Sequence, residues 1–294
     1  MICISSEIEP DLVGSLEDQL CEWDLSPWAL VVNRLSGAGT LEGYFSNREE
    51  ALDAWGLLQD CLKNLPSKPK LIPVKEEDWA LSYRKHFHSW QSGNLHVVPS
   101  WESQTFSIPS GHKAIFLDPG MAFGTGNHET TRLCIHAVVD FIDRTTADPI
   151  SLACVDAGCG SGILSLSAKA LGFGVVRGFD NDNLALKVAR ENALANGMLE
   201  GIDYFFADLA TPLDKASVDL LLANVQADAL CQNRANLLGA IAPKGTLCLS
   251  GVLTIESEEV ERIFSTEMEK LGSSFSIETS YDGEWASLVF DRIS

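Results

Sequence analysis

Val155-Asp156-Ala157-Gly158-Cys159-Gly160-Ser161-Gly162 is the stretch on which the fold turns. The segment Leu152–Asp156 leads into it and reads as a strand; Ser161–Leu171 leads out of it and reads as a helix. A glycine-rich turn in that context brings backbone amides to a ligand at the carboxyl end of an open α/β sheet. Glycines at 158, 160 and 162 permit positive φ and let a ligand approach the main chain. The spacing is G-x-G-x-G rather than the G-x-G-x-x-G of dinucleotide binders, which counts against a nicotinamide dehydrogenase. Read alone, the triplet is equally compatible with a tight, closely packed turn.

Working outward, strand and helix patterns alternate. Strands are expected at Val175–Asp180, Asp203–Phe206, Leu220–Asn224 and Thr246–Ser250, and helices at Asn183–Asn196, Asp228–Ala240 and Glu256–Leu271. Such alternation implies an α/β fold, a doubly wound and mostly parallel sheet covered on both faces. Phe275–Thr279 and Trp285–Phe290, separated by a short turn, suggest an antiparallel hairpin at its edge.

Three strand ends carry candidate chemistry. Asp180 lies 18 residues beyond Gly162, near the offset at which an acid accepts hydrogen bonds from ribose hydroxyls. Asp208 faces a nucleotide base or is a solvated loop acid. Asn224, in Ala223-Asn224-Val225-Gln226, offers both a carbonyl acceptor and an amide donor. It either holds a ligand such as an amine or serves a turn or helix cap. Upstream, a glycine loop from Leu117 to Thr131 runs into a helix expected to bury Leu133, Ala137, Val138 and Phe141. There Thr130 or Thr131 caps the helix or touches a bound ligand.

The first seventy residues read as a βαββαβ unit of the ferredoxin-like, α+β kind. Its strands are Ile2–Ser5, Trp28–Val32, Leu41–Phe45 and Lys70–Val74, and its helices begin at Asp11 and Asn47. Asn47 with Glu50 is a variant capping box, and Leu52, Trp55, Leu58, Leu62 and Leu65 are the expected apolar stripe. Three segments follow: a recognition domain over 1–70, a linker and pre-domain segment over 71–110, and a catalytic domain over 111–294. Within the middle segment Glu76–His86 reads as helical and Leu95–Trp101 as extended.

Composition narrows the function. With 41 acidic and 21 basic residues the net charge is −20, the wrong sign for a generic nucleic-acid binder or for adhesion to anionic lipid. The excess is spread along the chain and would attract a basic partner. No apolar run reaches membrane-spanning length, and the N-terminus lacks a basic leader, so a cytoplasmic protein is expected. The eight cysteines include no Cys-x-x-Cys pair, which fits reduced thiols better than a zinc site. Clustered histidines (His86, His88, His96, His112 and His128) lack a completing ligand set, so no metal is expected.

Together these residues resemble the bacterial methyltransferases of large-subunit ribosomal protein eleven, the PrmA family. The likeness runs from about Asp78 to Phe290. It is most specific in Leu117–Thr131 and continues through Asp156–Gly162, Asp180, Ala223-Asn224, Ser250-Gly251-Val252-Leu253 and Glu284-Trp285. Earlier matches are Asp78-Trp79, His86-Phe87-His88 and Pro99-Ser100-Trp101; residues 1–70 match in layout only. The resemblance implies a class I S-adenosylmethionine-dependent methyltransferase domain with a seven-stranded sheet behind a small ferredoxin-like domain. It implies that Thr131, Gly158, Asp180 and Asn224 contact the cofactor, beside Gly160 and Gly162 of the loop. It also implies methylation of lysine and N-terminal amino groups of that basic ribosomal protein; the charge argues against direct nucleic-acid contact, and a monomer is the default expectation. Val225-Gln226 departs from the family's aliphatic residue followed by Leu or Tyr, and Asp143–Ser151 is longer than usual. Asn224 is then the candidate for positioning the amine, and His128 a candidate proton acceptor. Other methyl acceptors of the same fold, or a non-catalytic cofactor-binding module, remain alternatives. Against an amino-adenine methyltransferase stand the charge and the missing Pro-Pro-aromatic sequence after Asn224.

Overall fold

The structure, a computed structural model, describes residues 2–10, 12–14, 16, 28–32, 39–61, 65, 68–73, 88–117 and 128–293. The chain divides into two compact units, Met1–His86 and Phe87–Ser294. Most of the first expected helix, the helix at Glu76–His86 and most of the glycine loop before Thr131 lie outside the described residues.

In the first unit, strands β1 (Ile2–Ile8), β2 (Trp28–Val32), β3 (Gly39–Phe45) and β4 (Lys70–Pro73) form an antiparallel sheet in the order β2-β3-β1-β4. That is the ferredoxin-like order. Helix α1 (Arg48–Cys61) packs on it. The Asn47 side chain accepts a hydrogen bond from the Glu50 amide at 3.0 Å, and the Glu50 carboxylate reaches back to the Ser46 amide at 3.2 Å. The capping box therefore forms, displaced by one residue on its return arm. The apolar stripe needs a correction: Ala51, Trp55 and Leu58 are buried, whereas Leu52 is 41% exposed. Trp55 and Leu58 hold the expected phase and Leu65 is partly buried, but small Ala51 rather than Leu52 extends the buried face; Leu62 lies outside the described residues.

The second unit begins earlier than the sequence suggests. Strands β5 (Trp90–Ser92), β6 (Leu95–Pro99) and β7 (Lys113–Leu117) make a three-stranded sheet, with β6 and β7 parallel. Leu95 and Val97 are fully buried in the same core as Val138 and Leu166. The stretch expected to be linker is thus part of this unit's core. Asn196 clamps the neighbouring strand β7 from a distance, accepting from the Phe116 amide and donating to its carbonyl, both at 2.7 Å.

The main sheet has seven strands: β8 (Ala153–Ala157), β9 (Val175–Asp180), β10 (Asp203–Phe206), β11 (Val218–Asn224), β12 (Ile241–Leu253), β13 (Phe275–Asp282) and β14 (Trp285–Arg292). Their order is β10-β9-β8-β11-β12-β14-β13. The first five are parallel, and β14 and β13 close the edge antiparallel. The central strand shows why. Leu220 and Leu222 pack into one core and Leu221 and Ala223 into another, all four fully buried. A strand covered on both faces must be apolar at every position. Helices α2 (Glu129–Arg144), α3 (Ile163–Ala170) and α4 (Asn183–Ala195) supply one layer, and α5 (Ala227–Ala240) and α6 (Ser257–Leu271) the other. Edge strand β13 alternates partly buried and exposed residues over most of its length, as a one-sided strand should. No helix among the described residues is long and apolar enough to cross a membrane.

Candidate active site

A cavity of about 880 Å³ opens at the carboxyl ends of the parallel strands, where open α/β sheets take their ligands. Its wall holds Gly158 and Gly160 after β8, Asp180 at the end of β9, Asp208 after β10 and Asn224 at the end of β11. His128 and Thr130 enter from the start of α2, Gly251 from β12, and Trp285 from the start of β14.

The glycine turn is fixed from both sides. The amides of Gly158 and Cys159 both donate to the Phe179 carbonyl at 2.9 Å, and the Gly160 amide donates to the Asp180 carboxylate at 2.9 Å. All three glycines have positive φ, at 74°, 52° and 78°. The second Asp180 oxygen accepts from the Asp182 amide at 2.9 Å, and Asp182 caps α4 through the Leu184 amide at 2.8 Å. Asp180 is thereby aimed into the cavity with acceptor capacity to spare, since a carboxylate takes about four hydrogen bonds. Burial pushes the Cys159 thiol up, so the cysteine within the loop is no thiolate nucleophile.

Behind the turn, Asp156 is 1% exposed and accepts from the Ser165 amide at 2.9 Å and hydroxyl at 2.6 Å. Burial pushes its carboxyl up to about 6; the two Ser165 hydrogen bonds oppose the shift and the Asp180 charge adds to it.

Asn224 differs from every other polar group on the wall. Its Oδ1 is buried and has no hydrogen-bond partner among the described residues. The following helix is capped at Gln226, so Asn224 is not a helix cap. A buried acceptor without a partner costs free energy unless a ligand supplies the donor. Val225 is held between two glycines: a Cβ at Gly158 would come within 2.6 Å of its Cγ1, and one at Gly251 within 2.5 Å of its carbonyl oxygen. The site thus requires glycine at both flanking positions.

The remaining expected residues fall into place differently. Gly162 and Thr131 lie off the cavity wall. Gly162 starts α3 in the left-handed conformation, and a Cβ there would meet the Tyr204 hydroxyl. Thr131 is fully buried, and its hydroxyl finds no partner among the described residues. Neither Thr130 nor Thr131 caps α2. His128 does, its Nδ1 accepting from the Thr130 amide at 3.4 Å while its ring meets Trp285 edge-on at 5.1 Å. Asp208 is both wall residue and loop acid: its carboxylate accepts from the Thr211 amide at 2.8 Å. Leu184, in the first turn of α4, and Leu209, in a turn after β10, carry no sequence signal that would place them on the wall.

Asp180 at a strand end, glycines beside it, an apolar flank and an orphaned amide oxygen together fit a nucleoside-bearing cofactor next to an amine. A family model described as Ribosomal protein L11 methyltransferase (PrmA) matches residues 15–293. The ribosomal protein L11 methyltransferase of Caldanaerobacter subterraneus subsp. tengcongensis is 33% identical over 284 residues, covering 93% of this chain and 86% of the relative. That of Geobacter metallireducens is 38% identical over 263 residues, covering 85% and 81%. The crystal structure of ribosomal protein L11 methylase from Lactobacillus delbrueckii subsp. bulgaricus superposes with a TM-score of 0.59 at 30% identity, over 71% of this chain and 100% of that one. Sheet order, site position and these likenesses agree on a class I S-adenosylmethionine-dependent methyltransferase fold, and the chain belongs to the ribosomal protein L11 methyltransferase (PrmA) family.

Proposed function

We propose that this protein transfers methyl groups from S-adenosylmethionine to lysine and N-terminal amino groups of ribosomal protein L11. The family supports the reaction and the substrate. The observation that carries the amine is the unpartnered Asn224 Oδ1 on the wall of a cavity that also holds Asp180. Gly158, Gly160, Asp180 and Asn224 would hold the cofactor, with Gly162 and Thr131 shaping the turn and helix behind them. When bound, the cofactor supplies an electrophilic methyl on a sulfonium, so the protein's task is to bind and orient.

The amine must arrive neutral. A free lysine with pKa near 10.4 is neutral in about one molecule in 2,500 at pH 7, a cost of about 4.6 kcal/mol. Burial among Leu184, Leu209, Val225 and Trp285 disfavours the ammonium and lowers that cost. Asn224 Oδ1 then accepts one N–H of the neutral amine and fixes where its lone pair points. No residue has to be an obligatory base. The His128 Nδ1 lone pair is engaged by the Thr130 amide, which favours a capping role over proton transfer.

The N-terminal unit would present the substrate, its acidic surface suiting a basic ribosomal protein. The protein would act as a cytoplasmic monomer. Intact-mass spectrometry of purified L11 incubated with the protein and S-adenosylmethionine tests the proposal. Mass gains in whole methyl steps, absent with Asp180→Ala, are expected. No gain with cofactor binding intact would rule out L11 as the methyl acceptor.

A further inference from the structure

A second recess of about 370 Å³ lies between helix α2 and the β13–β14 hairpin. Its floor is apolar, made by the buried Leu133 and Ala137 on the helix and the half-buried Val289 on the strand. Its rim carries three carboxylates, Asp140, Asp143 and Glu278, all exposed. None of the three makes an ion pair or side-chain hydrogen bond with any described residue. One cation, Arg144, also lines the recess; its guanidinium donates to Asp291 at 2.6 Å and its Nε to the Asp140 main-chain carbonyl at 3.2 Å, so it offsets the Asp140 and Glu278 charges in part without forming a salt bridge to either.

An acidic rim alone is only a solvated surface. The floor adds the second observation. Ser287 is 2% exposed and faces the recess, yet its hydroxyl makes no hydrogen bond with any described residue. Cross-strand pairing puts it opposite Ser280, and Glu278 opposite Val289, so these four residues share the face toward α2. On the helix, Leu133, Ala137 and Asp140 follow at spacings of four and three, one stripe. An apolar trough with a buried hydroxyl in its floor and unpaired carboxylates at its lip matches an aliphatic stem ending in an ammonium.

We propose that this groove is a docking site for a lysine side chain of the protein substrate, separate from the amine that is methylated. The groove and the catalytic cavity share two walls. Thr130 and Trp285 belong to the cavity, while Leu133 to Asp140 and Ser287 to Val289 continue the same helix and strand into the groove. The ten helical steps from Thr130 to Asp140 rise about 15 Å, the reach of roughly four or five extended residues. A basic chain with one lysine in the cavity can place another in the groove. This rests on the reading of a basic protein as substrate, and the probe below is not that protein, so the two can fail separately.

The test uses fluorescein-labelled N-acetyl-pentalysine amide and the full chain, read by anisotropy at low salt. The wild type is expected to bind saturably, and Asp140→Asn with Glu278→Gln to bind roughly five- to tenfold more weakly. Both are surface changes away from the core. Ser287→Leu, which fills the floor and leaves the charge, should weaken lysine peptide as much. It should remove any preference for lysine over a pentamer of 2,3-diaminopropionate, whose stems are too short to reach the floor. With L11, the double variant should raise KM and leave kcat and cofactor affinity unchanged. Equal pentalysine affinity in wild type and double variant would overturn the proposal. So would equal binding of the short-stemmed pentamer to the wild type. Spermine competing as well as the peptide would assign the groove to a free polyamine and overturn it too.

Discussion

Two strand ends flank the catalytic cavity, and they are built in contrasting ways. After β8 the wall is backbone: Gly158 and Gly160 at positive φ, their amides tied to the Phe179 carbonyl and the Asp180 carboxylate. After β11 it is a side chain, Asn224, whose Oδ1 is satisfied by nothing in the described protein. The first end is complete before any ligand arrives and can only hold. The second is incomplete, and on the proposed reading it would gain its hydrogen bond from an entering donor and so discriminate. Holding is a matter of conformation, discrimination a matter of one unpaired acceptor.

The contrast breaks most sharply at Asn224. If its amide aims the reacting amine, Asn224→Ala should lower kcat by about 100-fold, the cost of losing near-attack alignment, while the protein stays folded. Single-turnover kinetics with saturating L11 and S-adenosylmethionine measure this. A kcat within threefold of wild type would reduce the β11 end to passive wall.

At the β8 end the largest expected effect is on stability against pH. The Asp156 carboxyl is raised to about 6 in the folded protein, chiefly by burial, against about 3.9 unfolded. The folded state therefore holds the proton more tightly. Its contribution is fully present below pH 4 and is lost as pH rises to 6, on the order of 2–3 kcal/mol in all. Urea unfolding of wild type and Asp156→Asn from pH 4 to pH 7 should show the wild type losing that much relative to the variant. Parallel curves would mean that Ser165 and the rest of the turn fully compensate the buried charge.

Gly158→Ala should follow, at about 1–3 kcal/mol, for a strained left-handed residue. The new Cβ also meets Val225 Cγ1 at 2.6 Å, so the two strand ends are coupled through that contact. In a double-mutant cycle, Val225→Ala should return part of the loss. Strict additivity would show that the two ends are independent and the cost is backbone strain alone.

The same contrast explains what was legible in the sequence. Glycines at 158, 160 and 162 announce a backbone turn because glycine takes positive φ without the strain other residues incur, and continuous apolar runs such as Leu220–Ala223 announce a sheet covered on both faces. Asp180 followed from its offset. Asn224 stood out by its place at a strand end, but whether it caps, turns or binds depends on partners that only tertiary structure supplies. Trp285 and Gly251 enter the wall from strands more than 80 residues beyond the loop, a proximity set by the β12–β14 pairing. Trp55 and Leu58 fix the helix phase as the periodicity predicts, but Ala51 and Leu52, four and three residues before Trp55, both lie near that face, and only tertiary packing selects the small Ala51 to meet the sheet. The pre-domain strands are not legible as core because Leu95 and Val97 gain their burial from elements distant in the chain, such as α2 and α3.

The smallest effect is expected at the residue with the largest catalytic one. Asn224→Ala removes a buried carbonyl oxygen that has no partner to lose. It deletes a desolvated acceptor, whose burial cost roughly offsets the lost packing, so the unliganded protein should change by less than about 1 kcal/mol. The urea midpoint measures it. A loss like that of Gly158→Ala would make Asn224 part of the frame and turn any fall in kcat into a consequence of a damaged wall. A near-neutral change beside a 100-fold fall in turnover would leave only one account: the amide acts on what enters the cavity.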